Sequence, residues 1–187
     1  APYFADNTGT TDSTVALQAA LSDNQYKNRT LYFPNGTYTV SRPLFISTDN
    51  ANAGFTHLRG ESRTGTVLRL RDNSDGTLGS ANFGDPANPR IMLNFFVGPW
   101  TNNGYYHSVE DMTFDIGSGN PGAIALEFQS NNVGWMENVT IRTSDPERRG
   151  YIGLKIDRNL VGMGIVRNVS VDGFDYGIRT GHYHASF

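Results

Sequence analysis

One short phrase is written three times in this chain, and it limits the possible folds more than any other feature. It reads Glu110-Asp111-Met112-Thr113-Phe114-Asp115, then Glu137-Asn138-Val139-Thr140-Ile141-Arg142, then Arg167-Asn168-Val169-Ser170-Val171-Asp172. In each copy a charged residue is followed by Asp or Asn, then by an apolar–hydroxyl–apolar alternation. The copies lie 27 and 30 residues apart, a period typical of solenoids, in which each coil needs a neighbour to bury its inner face. Asp and Asn tolerate the left-handed backbone that a tight corner demands. The alternation sends Met112 and Phe114, Val139 and Ile141, and Val169 and Val171 to one face of a short strand. Stacked copies therefore predict a ladder of Asx residues along one corner and apolar columns inside.

A second pattern follows the same period. Ala123-Ile124-Ala125-Leu126-Glu127-Phe128 and Tyr151-Ile152-Gly153-Leu154-Lys155-Ile156 alternate alike, with Leu126 and Leu154 28 residues apart. Ile124, Leu126 and Phe128, then Ile152, Leu154 and Ile156, are expected inward. Strands over 91–97, 123–128, 151–157 and 176–180 each open one coil. A buried Leu or Ile stabilises by ~1.5–3 kcal/mol, so such columns can hold a stack that contains no cysteine. The expected fold class is all-β, a parallel β-helix. A leucine-rich repeat is the competing solenoid, but its Leu–Asn signature is missing.

Upstream of the regular coils the pattern is looser. A helix is expected over about 13–22, capped by Asp12 or Ser13, with Leu17, Ala20 and Leu21 on one face. It is short and needs a docking surface. Strands are expected over 30–33, 37–40, 44–46, 56–60 and 66–70, with Pro34-Asn35-Gly36 as a turn. Residues 71–89 are polar and rich in Gly, Asn and Asp, and read as a long loop. One domain over 1–187 is expected, with a capping segment over 1–30 and coils from 31 onward. The 21 glycines and 18% charged residues suit a turn-rich β protein. Net charge is −3, and no basic run interleaved with aromatics supports a nucleic-acid role. No apolar stretch reaches the length of a membrane span.

Asp6-Asn7-Thr8-Gly9-Thr10-Thr11-Asp12-Ser13-Thr14, the helix Ala16-Leu17-Gln18-Ala19-Ala20-Leu21 and the run Leu31-Tyr32-Phe33-Pro34-Asn35-Gly36-Thr37-Tyr38 resemble the opening of the pectate-lyase-like superfamily. Leu58-Arg59-Gly60-Glu61 and Thr66-Val67-Leu68-Arg69-Leu70 extend the likeness. The block over 109–177 is similar to the first β-helix of the family 55 type of 1,3-β-glucanase. The superfamily's initial Gly-Asp-Gly is here Asn7-Thr8-Gly9, so nothing carried by those positions transfers. The resemblance implies a right-handed β-helix with a short amino-terminal capping α-helix, in a secreted, carbohydrate-active setting. It implies the amino-terminal part of a polysaccharide-degrading enzyme, a glycoside hydrolase or a polysaccharide lyase. A non-catalytic glycan-binding module and a phage tailspike-type structural β-helix are the alternatives. The expected partner is a polysaccharide, with a carboxy-terminal β-helix or second chain capping the open end beyond Phe187. No cofactor is implied for hydrolysis, and calcium enters only with the lyase reading.

Candidate chemistry lies on outward positions. Coils in register would align Glu127, Lys155 and Arg179 in one exposed column with Asp157 beside it. Such a column could orient a uronate, act as acid or base, bind a cation, or form a cross-strand charge ladder. Asp172 and Asp175 flank Gly173 and suit a turn. Asp145 and Glu147 suit a solvated loop. His182 and His184 would share a strand face and could bind substrate or move protons, though no third ligand accompanies them as a metal site. Trp100 and Tyr105, in a Gly- and Asn-rich excursion with Phe95, Phe96 and Tyr106, could stack on sugar rings. Of the Asn-x-Ser/Thr sites at Asn28, Asn35, Asn138 and Asn168, the last two fall on the corner ladder and read as chance matches.

Overall fold

The computed structural model describes residues 3–25, 27–46, 54–77, 79–95, 104–130, 132–157, 164–181 and 185–186. In chain order the elements are β1 (Thr8–Asp12), α1 (Thr14–Asn24), β2 (Arg29–Phe33), β3 (Gly36–Val40), β4 (Leu44–Phe45), β5 (Thr56–Gly60) and β6 (Thr66–Leu70). They continue with β7 (Arg90–Asn94), β8 (Ser108–Asp115), β9 (Ala123–Glu127), β10 (Gly134–Arg142), β11 (Ile152–Ile156), β12 (Gly164–Asp172), β13 (Tyr176–Thr180) and β14 (Ala185–Ser186). The larger sheet runs β1-β3-β6-β8-β10-β12-β14, with β2 and β5 joining it through β8. The smaller sheet runs β13-β11-β9-β7-β4. The strand pairs in both ladders are parallel, so the chain winds as a parallel β-solenoid of about five turns.

The repeated phrase is the corner. Asp111, Asn138 and Asn168 take φ of 54°, 57° and 52°, the left-handed region that short polar side chains tolerate best. Asn138 Nδ2 donates to Asp111 Oδ1 at 2.6 Å and Asn168 Nδ2 to Asn138 Oδ1 at 3.0 Å. The predicted ladder is thus a hydrogen-bonded one, and the amides of Asn138 and Asn168 are used in it. Because one residue turns the corner, β8, β10 and β12 run through it as single long strands. In the preceding coil the same corner is a loop, so β5 and β6 stay separate and pair with the two halves of β8. Inside the corner Val109, Met112, Phe114, Met136, Val139 and Ile141 are fully buried.

The smaller sheet departs from simple alternation. The central cluster takes Leu126, Phe128, Leu154 and Ile156 as expected, but also Ala123 and Ala125. Ile124 and Ile152, expected inward, are buried yet lie outside that cluster. The pairing explains the correction: it steps from Ile91↔Ile124 to Leu93↔Leu126, and from Ile124↔Ile152 to Leu126↔Leu154. It passes over Met92, Ala125 and Gly153, so consecutive residues face the core around that bend. A Cβ on Gly153 would lie 2.2 Å from Val171 Cγ1 and 2.7 Å from the Gly177 carbonyl oxygen. The inner layer has no room for a side chain there.

The amino-terminal helix closes one end. Leu17, Ala20 and Leu21 are buried as its spacing predicts. Asp12 receives the Thr14 amide at 2.9 Å, whereas the Ser13 hydroxyl bonds Asp6 and makes no cap. Gln18 faces β4, the edge of the smaller sheet, and its amide donates to the Phe45 carbonyl at 3.0 Å and accepts the Phe45 amide at 2.9 Å. One side chain thereby satisfies backbone groups that an edge strand leaves open. Arg63 straps three later positions on the larger sheet, through Thr140 at 2.8 Å, Ser170 at 2.7 Å and Asn168 at 3.1 Å. Residues 71–89 form the expected long loop, but it is packed rather than merely solvated: Phe83 is wholly buried.

Candidate functional site

Stacking of β7, β9, β11 and β13 sets Asn94 beside Glu127, Glu127 beside Lys155, and Lys155 beside Arg179. The predicted in-register column therefore exists, and its charges touch. Lys155 Nζ lies 2.9 Å from Glu127 Oε1 and 2.9 Å from Asp157 Oδ1. Arg179 Nε lies 2.6 Å from Asp157 Oδ2. Charge alternates along the relay from Glu127 through Lys155 and Asp157 to Arg179.

The expectation of an exposed column is corrected at its first member. Glu127 is 1% exposed and Asn94 is buried, while the Arg179 side chain is 46% exposed. All five residues of β9 are buried, so the outer face there is roofed by chain. The relay thus runs from a dry end to a wet one. Removing a carboxylate from water is costly unless it is paired and hydrogen-bonded, and the ammonium of Lys155 supplies that pairing. Both oxygens of Asp157 are engaged by cations, which leaves the outer nitrogens of Arg179 as the accessible donors of the set. Chemically the relay suits orientation of hydroxyl-bearing ligands at its open end, with the buried carboxylate fixing the lysine.

The other expected site residues fall elsewhere. Tyr105 is half-buried and its carbonyl accepts the Phe55 amide at 2.7 Å, so it belongs to the turn leading into the larger sheet. Phe95 fills the core against Phe128, ring centroids 5.0 Å apart. Trp100, His182, His184 and Phe96 lie outside the described residues. Asp145 is buried by its own turn, accepting the Gly119 and Glu147 amides at 2.8 Å each. These bonds hold its carboxyl below the usual range, the Gly119 amide foremost, against the upward push of burial. Asp172 pairs with Arg148 across the surface rather than joining the relay. Among the described residues no three His, Asp or Glu side chains gather in a way that could hold a metal ion.

Sequence reasoning missed a network on the outer face of the larger sheet. His57 Nδ1 meets Ser108 Oγ at 2.9 Å and its Nε2 meets Asn28 Oδ1 at 3.1 Å. Its ring lies against Trp135, centroids 5.6 Å apart, and the Trp135 indole donates to Glu110 at 2.9 Å. The signal was available as pairing: His57, Ser108 and Trp135 are direct cross-coil neighbours. The long loop over 71–89 stretches the interval between the first two to 51 residues, which hides the repeat.

The fold is a parallel β-helix with a charged column along its smaller sheet. The chain belongs to the family described as rhamnogalacturonase A/epimerase, pectate lyase-like, whose model matches residues 2–187. It is similar to a glucan 1,3-β-glucosidase of Cochliobolus carbonum, 28% identical over 133 residues. That match takes in 69% of this chain but 14% of the relative's length. Among solved structures, a protein of Geobacillus virus E2, ORF18, shares the fold with a TM-score of 0.60 and 21% identity, over 83% of this chain and 26% of that one. The catalytic unit of a GH87 α-1,3-glucanase from Streptomyces thermodiastaticus has a TM-score of 0.53 and 18% identity, over 98% of this chain and 32% of that one. No helix among the described residues is long and apolar enough to cross a membrane.

Proposed function

We propose that this chain is a β-helical part of an extracellular glycoside hydrolase that acts on a 1,3-linked glucan. The observation that carries the reading is the relay: coil stacking, with the two-residue spacing of Lys155 and Asp157, brings Glu127, Lys155, Asp157 and Arg179 into contact along the smaller sheet. Family membership and the similarity to a glucan 1,3-β-glucosidase support a polysaccharide as the substrate. The relay is charge-balanced, two carboxylates against two cations, which suits a neutral glycan better than a polyuronate. Arg179 binds substrate hydroxyls at the open end. Asp157 and Glu127 hold the two cations in place and supply the carboxylates of the site.

Lys155 stands between those carboxylates at 2.9 Å from each, in the space where a scissile bond between an acid–base pair would lie. A second reading follows from that geometry: the face binds glycan without cleaving it. Incubating the intact protein with 1,3-glucans and assaying reducing ends separates the two. Release that falls about 100-fold or more in Asp157→Asn, a loss on the scale of general acid–base catalysis, supports hydrolysis at this face. Unsaturated product absorbing in the ultraviolet would mean elimination, and no product from any 1,3-glucan would overturn the enzymatic reading.

A further inference from the structure

Two bulky aromatics sit where aromatics seldom do. Phe55 and Tyr106 have φ of 66° and 56°, a left-handed conformation uncommon for non-glycine residues and most costly for large ones. Each lies two residues before a partner in the His57↔Ser108 pair, so they occupy the same place in adjacent coils. Their rings are stacked, centroids 5.2 Å apart and 15° from parallel, and both remain more than a third exposed. Val133, at the same offset before Trp135, continues the line and is 49% exposed. Beside it Val133, Trp135, Ile165 and Arg167 line a shallow groove of about 320 Å³. Glu137 forms its polar rim, paired with Arg167 at 2.6 Å.

We propose that this strip on the outer face of the larger sheet, from Phe55 and Tyr106 to the groove at Trp135 and Ile165, binds a neutral glucan chain lying along the solenoid axis. It is separate from the charged relay, which is on the smaller sheet, and it rests on the preceding reading only in taking a glucan as ligand. The chemistry is that of pyranose recognition. Apolar C–H faces stack on exposed rings, and ring hydroxyls bond to a fixed carboxylate–guanidinium pair at the edge. Charge selects the class of glycan. Arg59 is 3.5 Å from Asp111 and Arg167 is held by Glu137, while Glu110 takes the Trp135 indole. Along the strip itself both guanidiniums, Arg59 and Arg167, face a carboxylate and Glu110 adds a third negative charge, so the strip carries no net positive charge to attract a polyanion. A strained, exposed aromatic pair held by the fold supplies rigid contact area at little entropic cost on binding.

Affinity electrophoresis of the intact protein tests the assignment, in gels containing soluble 1,3-β-glucan, 1,3-α-glucan or polygalacturonate. Phe55→Asn combined with Tyr106→Asn removes both rings and keeps a residue type that tolerates the left-handed backbone. The expected result is retardation by at least one neutral glucan, weakened about tenfold in the double variant, the scale of two lost stacking contacts. Ile165→Ser is the second variant, at a side chain 64% exposed, and it decides the matter should the double variant fail to fold; it too should weaken retardation. Wild-type retardation by both the double variant and Ile165→Ser, retardation by polygalacturonate alone, or no retardation by any glycan would each overturn the proposal. Product release depends on the relay and retardation on the strip, so either reading can fail while the other stands.

Discussion

At the corner of the larger sheet, Asp111, Asn138 and Asn168 pass hydrogen bonds from coil to coil; on the smaller sheet, Glu127, Lys155 and Arg179 sit in the matching coils and pass charge. Both arrays come from the same parallel, in-register stacking, in which a residue meets its own equivalent one coil away. A ladder of amides tolerates that self-pairing, since each amide both donates and accepts. Ionised side chains do not, because like charges directly opposite repel. Lys155 and Arg179 do stand opposite one another, and Asp157 supplies the counter-charge to both, whereas the corner repeats in kind. Repetition marks scaffold, and broken repetition marks the surface where function can vary.

The largest effect should come from the dry end of the relay. Lys155→Met withdraws the ammonium from a carboxylate that is 1% exposed and leaves Glu127 and Asp157 without the cation between them. A loss of about 3 kcal/mol in unfolding free energy is expected, in the range for breaking one partner of a buried pair. Combining it with Glu127→Gln should restore roughly 1 kcal/mol or more, a coupling that urea denaturation of the four-member cycle measures. Strict additivity, or a cost for Lys155→Met well under 1 kcal/mol, would mean that the relay is a surface feature and the contrast between the sheets is false.

A smaller effect is expected at the corner. Asn138→Ala loses a donor to Asp111 and an acceptor for Asn168, at about 1 kcal/mol net for each bond, and places a Cβ-bearing residue without polar compensation at φ 57°. Asn138→Gly loses the same bonds but fits the left-handed backbone freely. The glycine variant should therefore be the more stable of the two by about 1 kcal/mol. Equal midpoints in chemical denaturation would show that the ladder, rather than the backbone conformation, decides the residue at this corner.

The corner was legible because its signal is local: the αL residue and the apolar alternation after it lie within six letters, repeated three times. The inward face of the smaller sheet was legible only in part. A two-residue period predicts Ile124 inward, but the bend at Ala125 lets Ala123, Ala125 and Leu126 share the core, and a bend without a special residue leaves no mark in the sequence. The relay's register could be read from spacing, and Glu127, Lys155 and Arg179 do stack. Its burial could not, since all five residues of β9 are buried and no pattern within the strand sets Glu127 apart from an exposed carboxylate. Long-range contacts were illegible for the same reason. Arg63 reaches Ser170 across 107 residues, and nothing near Arg63 distinguishes it from a solvated arginine. The stacked Phe55 and Tyr106 sit in left-handed turns where propensity would place Asn or Gly, so propensity argued against them.

The smallest effect concerns pH, and it distinguishes the outer faces of the two sheets by their response to acid. On the larger sheet, burial holds the His57 imidazole below its ordinary value, with Glu110 pulling the other way. A histidine depressed in the folded state binds its proton more readily once unfolded. Its contribution to stability is thus complete above the unfolded value of 6.5 and is lost as pH falls through the folded one. With Nε2 donating to the Asn28 amide oxygen, charging the ring would also cost Nδ1 the lone pair that faces the Ser108 hydroxyl. Unfolding free energies from pH 7.5 down to 5 should therefore fall more steeply in the wild type than in His57→Gln. Lys155→Met, on the other sheet, should keep the wild-type slope. If His57→Gln retains the full slope, the acid sensitivity lies elsewhere in the chain. If Lys155→Met abolishes it, the relay and not the His57 network is the acid-labile face.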